Sequence, residues 1–215
     1  MILARRQTER AASGMMDKPF SPSSEENKQP ILEVIAPRLT SARSVLEIGS
    51  GTGQHGVHFA AALPQLRWQC TDVAYHLPGI RLWIEEAGLP NLPAPLELDV
   101  DADWIDAFSG TDYDAIYSAN TAHIMSLAQV ERMFTGVGAL LPSEGLFLLY
   151  GPFSVDGQHN SESNALFDRS LRLRDSLSGV RDLRDLERFA AAAGLALEAD
   201  IAMPVNNRTL LWRRR

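Results

Sequence analysis

Residues 45–60 read VLEIGSGTGQHGVHFA, and no other stretch limits the possible fold as strongly. An apolar run of strand length enters a turn containing Gly49, Gly51 and Gly53 and leaves it as a helical pattern. Alternating glycines let a backbone approach a ligand closely, and the following helix points its N-terminus at that ligand. Such a unit opens an α/β sheet whose cofactor lies across the carboxyl ends of the strands. The rest of the chain keeps the same rhythm. RWQCTDV, APLELDV, YDAIYSAN and EGLFLLYGPF read as further strands, and helical patterns cover residues 54–63, HLPGIRLWIEEAG up to Gly88, and residues 127–141. A first helix is expected from Asn27 or Pro30 to Leu39. This alternation predicts βαβ units on a largely parallel sheet.

The C-terminal part departs from it. Asp182 suits an N-cap, and the helix it starts stops at Gly194. LALEADIAMP and RTLLWRR are then separated only by VNN. A connection this short cannot make a parallel crossover, so these two segments are expected to pair antiparallel, with Asn206-Asn207 in the turn.

Two cofactors compete for the glycine turn. Gly51-Thr-Gly53-Gln-His-Gly56 matches the G-x-G-x-x-G of dinucleotide sites, but Gly49 and Ser50 intervene after the strand and Gly56 falls inside the helix. Either cofactor would use Asp72, at the end of the second strand, for its ribose hydroxyls. Glu47 is read as the discriminating residue, at the lip of the turn. At ~4 Å and an effective dielectric of about 20, a charge pair is worth about 4 kcal/mol before solvation, so an acid there favours the sulfonium of S-adenosylmethionine over a pyrophosphate. Between residues 44 and 66 there is no Lys or Arg to reverse that sign. One strand later, LELDVDADW offers Asp99, with Trp104 nearby, to an adenine ring.

Composition bounds the rest. The 215 residues, 45% hydrophobic and 22% charged, fit a single globular domain, expected over residues 18–215, with residues 1–17 as an N-terminal extension. A net charge of −7 argues against a nucleic-acid partner. The lone Cys70 leaves no intrachain disulfide or cysteine-based zinc site. With no apolar run long enough for a membrane span, a cytoplasmic location is expected. His55 and His58, i and i+3 on a helix, lack an evident third ligand, so no metal is expected.

Beyond these motifs the chain resembles class I S-adenosylmethionine-dependent methyltransferases, with VLEIGSGTG similar to their first motif, TDV to their ribose-binding strand end and LDV to their adenine contact. NKQPIL, SGTGQH, YSANTAHI, YGPF, SNALFDRSLR, GVRDLRDLE and MPVNNRTLLW together resemble the methyltransferase-like protein 26 family, although Glu26 stands where that family has Arg. The resemblance implies an α/β, doubly wound, seven-stranded sheet with an antiparallel last strand, and methyl transfer to an acceptor it does not name. Cofactor contacts are then expected from Glu47, Gly49, Ser50, Gly51, Gly53, Gln54, His55, Asp72, Val73, Asp99, Val100, Asn120 and Thr121. Asn27, His123, Tyr150 and Asn206 are expected around a small-molecule acceptor, with Phe153 and Phe167 as apolar walls.

In-line methyl transfer to a good nucleophile needs little acid–base help, so no catalytic residue is assigned. Two other classes stay open on the sequence alone: an S-adenosylmethionine-binding protein without transferase activity that works through a partner, and an NAD-dependent oxidoreductase, which would require Glu47 to face away from the ligand.

Overall fold

Each strand-length apolar run of the chain alternates between two helical layers, and this alternation builds the architecture. The computed structural model describes residues 17–215; of the extension expected over residues 1–17, residues 1–16 lie outside the described residues. In chain order the main elements are α1 (Pro22–Ile35), β1 (Ser44–Ile48), α2 (Gln54–Ala62), β2 (Arg67–Asp72), α3 (Leu77–Ala87), β3 (Leu96–Glu97) and α4 (Trp104–Phe108). They continue with β4 (Ala115–Ala119), α5 (Leu127–Leu140), β5 (Leu146–Gly151), β6 (Phe153–Ser154), α6 (Glu162–Arg174), β7 (Arg181–Asp182), α7 (Leu183–Ala192), β8 (Leu195–Ala202) and β9 (Arg208–Arg214).

The seven-stranded sheet has the order β3-β2-β1-β4-β5-β9-β8, with β9 antiparallel to both of its neighbours and every other pair parallel. This is the expected doubly wound sheet with its antiparallel last strand. The order reverses between β1 and β4, which opens a crevice at their carboxyl ends.

Because side chains alternate across a strand, β1 sends Val45 and Glu47 to one face and Leu46 and Ile48 to the other. The first face joins Trp68, Cys70, Tyr117, Leu148 and Tyr150 under α1, α2 and α3 through Ile31, Ile35, Phe59 and Ile80. The second packs Ile116, Phe147, Leu149 and Trp212 against Phe134 of α5 and Phe189 of α7. Trp68 and Trp212 are fully buried, one in each core, as expected of strand tryptophans.

Some boundaries differ from expectation. Helix α1 starts at Pro22, ahead of Asn27, because Ser21 caps it through Ser24 N–H and proline suits the first helical position. APLELDV keeps only two residues in ladder register, since β3 is an edge strand paired on one side. The sequence reading also placed no helix at 162–174. There α6 is polar overall, and its start is fixed by the Ser161 cap, not by an apolar stripe.

Candidate functional site

At the crevice, β1 ends at Ile48 and the chain turns through Gly49 with φ of +74°. A Cβ on Gly49 would lie 2.5 Å from Cγ2 of Thr121, so the absent side chain lets the turn lie against the loop after β4. Ser118 Oγ donates to Ile48 O at 2.7 Å and shares a 2.6 Å hydrogen bond with Thr121 Oγ1, which fixes the same contact from below. Across the turn, Asp72 accepts the Gly51 N–H at 2.7 Å and the Val73 N–H at 2.8 Å. Burial raises the Asp72 pKa, and these two N–H groups and His76 pull it back.

The result is a cleft of about 720 Å³, within the range of small-molecule and cofactor sites. Its floor is the turn, from Ile48 to Thr52. One wall carries Asp72, Val73, Tyr75 and His76, then Leu98, Asp99 and Val100; the other carries Asn120, Thr121, Ile124 and Met125. Asn120 sits at φ +58°, a conformation uncommon outside glycine.

A strap formed by residues 17–24 closes over the floor, contributing Asp17, Pro19, Ser21, Ser23 and Ser24. It is pinned to α3 by the Trp83 Nε1–H bond to Pro19 O at 2.7 Å and by Lys18, whose ammonium lies 3.8 Å over the Trp83 ring. Gln54 Oε1 accepts the Ser21 N–H at 2.6 Å, joining the strap to α2. Trp83 thus has a role beyond packing.

Of the residues expected at the cofactor, Gly49, Ser50, Gly51, His55, Asp72, Val73, Asp99, Val100, Asn120 and Thr121 line this cleft. Glu47 does not. As an odd-numbered residue of β1 it shares the face of Val45, and its carboxylate lies beneath α2. There it accepts Trp68 Nε1–H at 2.9 Å and Cys70 Sγ–H at 3.3 Å. It is 2% exposed, and burial pushes its pKa up. The charge argument built on Glu47 at the lip is therefore corrected. Its neighbour is Gly56, whose absent Cβ would come within 2.3 Å of Cys70 Sγ. Gly53 packs against Ile80 and Trp83, and Gln54 bonds the strap, so neither lines the cleft.

None of the residues expected at an acceptor lines this cleft. Asn27 Oδ1 faces His55 Nε2 at 2.7 Å, which makes Nε2 the protonated nitrogen. Burial lifts the Tyr150 pKa while side-chain hydrogen bonds with Asn27 and Asn207 draw it down. This group belongs to the α1–α3 side of the sheet, because Tyr150 shares the face of Leu148. His123 is instead turned to the Phe167 ring of α6, with centroids 5.1 Å apart, and Phe153 belongs to the opposite core. Asn206 is exposed and its carbonyl accepts from Asn160 and Asn164, both at 3.0 Å. At Gly151, the residue after Tyr150, a Cβ would lie 3.6 Å from Phe153 Cζ and 3.9 Å from both Asn120 Oδ1 and His123 Nδ1, so His123 neighbours the Asn120 side of the cleft.

Both buried histidines have their pKa lowered to about 4, His55 chiefly by burial and His123 by burial and the nearby Arg181. They are neutral at physiological pH. Among the described residues, no group of three or more His, Cys, Asp or Glu could hold a metal ion, and no helix is long and apolar enough to cross a membrane. The sequence reading missed the strap residues, Tyr75, His76, Ile124, Met125 and Gln129 as parts of the cleft wall. For Tyr75, His76, Ile124 and Met125 the available signal was position, since they follow directly on the ends of β2 and β4.

Solved structures of similar shape share this architecture. An O-methyltransferase family protein from Burkholderia thailandensis superposes with a TM-score of 0.76 at 17% identity, over 87% of this chain and 56% of that one. The S-adenosylmethionine-dependent methyltransferase SibL, in its apo form, gives 0.73 at 22% identity, over 89% and 55%. Human N-acetylserotonin methyltransferase in complex with its cofactor gives 0.70 at 14% identity, over 87% and 51%. The chain thus spans little more than half the length of these proteins, and the likeness establishes a Rossmann-like methyltransferase fold. A family model described as a protein of unknown function (DUF938) matches residues 18–214. The chain belongs to that family.

Proposed function

We propose that this DUF938 family member is an S-adenosylmethionine-dependent methyltransferase acting on a small-molecule acceptor. The observation that carries the reading is the charge of the cleft: Asp72 and Asp99 line it beside the glycine turn, and none of its described lining residues is Lys or Arg. A dinucleotide would bring a doubly charged pyrophosphate into a cleft whose described lining offers it no Lys or Arg. S-adenosylmethionine carries no phosphate and brings a sulfonium and an ammonium, which suit a cleft whose described charged lining is acidic. The methyltransferase names of the structures that share the fold support this reading, as does the resemblance of the separated sequence blocks to methyltransferase-like protein 26.

In this assignment Asp72 holds the ribose hydroxyls with the acceptor capacity left by Gly51 and Val73. Val73, Leu98 and Val100 flank the adenine, and Asp99 faces its amino edge. Gly49 and Gly51 present backbone to the methionine portion, with Asn120 and Thr121 opposite. When bound, the cofactor supplies an electrophilic methyl group. The chain's own part is to hold the acceptor in line and exclude water beneath the 17–24 strap, a positional contribution that can be worth roughly 7–11 kcal/mol. A histidine near pKa 4 is a poor general base, and Nε2 of His55 is already committed to Asn27. In this reading catalysis is assigned to position, and no dedicated base is named.

Incubating the protein with methyl-labelled S-adenosylmethionine and a small-molecule extract, then separating products by size, tests the reading. Label is expected in a small organic product. Label confined to protein would reject the small acceptor, and binding without any transfer would favour a non-catalytic cofactor-binding protein.

A further inference from the structure

The cleft wall formed by residues 120–125 is held from outside the cleft. The carbonyls of residues 122–125 each receive a donor from residues 178–181, that is, from Ser178 and the start of the GVRDLRDLE block. Ala122 O accepts Arg181 Nε–H at 2.9 Å, and His123 O accepts the Gly179 N–H at 2.9 Å. Ile124 O accepts Ser178 Oγ–H at 2.9 Å, and Met125 O accepts from Arg181 Nη2. Nη2 also donates to Leu177 O at 2.7 Å, so one planar group joins the wall to the chain behind it. Arg181 is 7% exposed, and among the described residues it makes no ion pair with a carboxylate.

This segment is itself fixed by the SNALFDRSLR block. Asp168 Oδ1 accepts the Val180 N–H at 2.7 Å while its Oδ2 takes Arg172 Nε–H at 2.9 Å. Arg181 and Asp182 pair in register with Phe153 and Ser154 just beyond β5. Burying a cation is costly unless its donors are satisfied. A rigid fork with donors in divergent directions is what satisfies carbonyls from two separate segments, and a lysine point charge cannot replace it.

We propose that Arg181 is a positioning residue for the cleft: by holding the carbonyls of residues 122 and 125 on the outer side, with Gly179 and Ser178 holding the two between them, it presents Asn120, Thr121, Ile124 and Met125 to the ligand without touching it. The affinity part of this proposal rests on the S-adenosylmethionine assignment; the ordering of the wall does not.

The test uses the full chain with Arg181→Met, Arg181→Lys and Ser178→Ala, and Leu197→Ala as a destabilised control remote from the cleft. Hydrogen exchange of a peptide covering residues 121–126 is measured without ligand, and S-adenosylhomocysteine binding by calorimetry. Arg181→Met is expected to speed exchange of the wall and weaken S-adenosylhomocysteine by about tenfold or more. Arg181→Lys should recover little of either, and Ser178→Ala should show a smaller change in the same direction. Leu197→Ala should lower Tm with the wall and the affinity unchanged. Wild-type exchange and affinity in both Arg181 variants would overturn the proposal, as would an equal loss in the control. If Arg181→Met does not fold, Arg181→Lys and Ser178→Ala decide on the same readouts. Failure of the wild type to bind S-adenosylhomocysteine would reject the cofactor assignment, and exchange would still decide the role of Arg181.

Discussion

The backbone N–H of Gly51 donates to Oδ2 of Asp72 at 2.7 Å, tying the turn after β1 to the end of β2. One carboxylate therefore orders the turn and faces the cleft. Asp72→Ala removes both contributions. We expect it to weaken S-adenosylhomocysteine by roughly 1.5–3 kcal/mol, the range for hydrogen bonds to a charged group. Asp72→Asn keeps one carbonyl acceptor and should fall between. Calorimetry of the three proteins checks the order, and equal affinities would limit Asp72 to the turn.

The turn at Gly49 leaves no room for a side chain against Thr121. Gly49→Ala places Cβ 2.5 Å from Thr121 Cγ2 and forces an L side chain to φ +74°. Overpacking of this kind costs about 1–3 kcal/mol, and the left-handed backbone about 1–2 more. Adding Thr121→Ser removes Cγ2, so the double variant should regain the packing part and keep the backbone part. Urea unfolding of the single and double variants measures both.

Glu47 separates a structural from a ligand role. Glu47→Gln retains an acceptor for Trp68 Nε1–H and should leave ligand affinity within about threefold, since the carboxylate does not line the cleft. Glu47→Ala leaves a buried indole N–H unpaired and should cost about 1–3 kcal/mol of stability. A large affinity loss in Glu47→Gln with normal stability would restore Glu47 to the ligand.

His123 gives a pH signature. Its pKa is lowered to about 4, against about 6.5 in an unfolded chain. The unfolded state therefore takes up a proton that the folded state refuses as pH falls from about 6.5 toward about 4. His123 contributes its full stability above pH 6.5 and loses it across that window, at up to about 1.4 kcal/mol per pH unit. His55 acts in the same sense, while Glu47, with its raised pKa, acts in the opposite one, so the difference between proteins is the clean quantity. Unfolding free energies between pH 7 and 4.5 should fall less steeply in His123→Gln than in wild type. Parallel curves would place His123 in solvent.

The fold was legible because its signals are local and repeated: the glycine turn, the strand-length apolar runs, and the VNN link too short for a crossover. Most of the cleft was legible for the same reason, since Asp72, Asp99 and Asn120 stand at or just beyond strand ends. Glu47 was misplaced although the sequence held the answer. Strand alternation puts it on the face of Val45, which is core, and the charge argument ignored that parity. Tyr150 and His123 were expected at the cleft because strand ends were treated as points; neither lines it. The strap and the Arg181 clamp could not be read at all. Both depend on contacts between segments more than 50 residues apart, such as Trp83 with Pro19 and Arg181 with Ala122, that no short pattern encodes.

The central claim is that an acidic cleft, with no Lys or Arg among its described lining residues, selects a sulfonium cofactor family over a pyrophosphate. Isothermal titration of the full chain with S-adenosylhomocysteine and with NADH, in the same buffer at two salt concentrations, tests it most directly. S-adenosylhomocysteine, which has the ammonium and the adenosyl group, is expected to bind at least a hundredfold more tightly than NADH, a difference of about 2.7 kcal/mol. NADH binding as tightly as S-adenosylhomocysteine, or more tightly, would contradict the account.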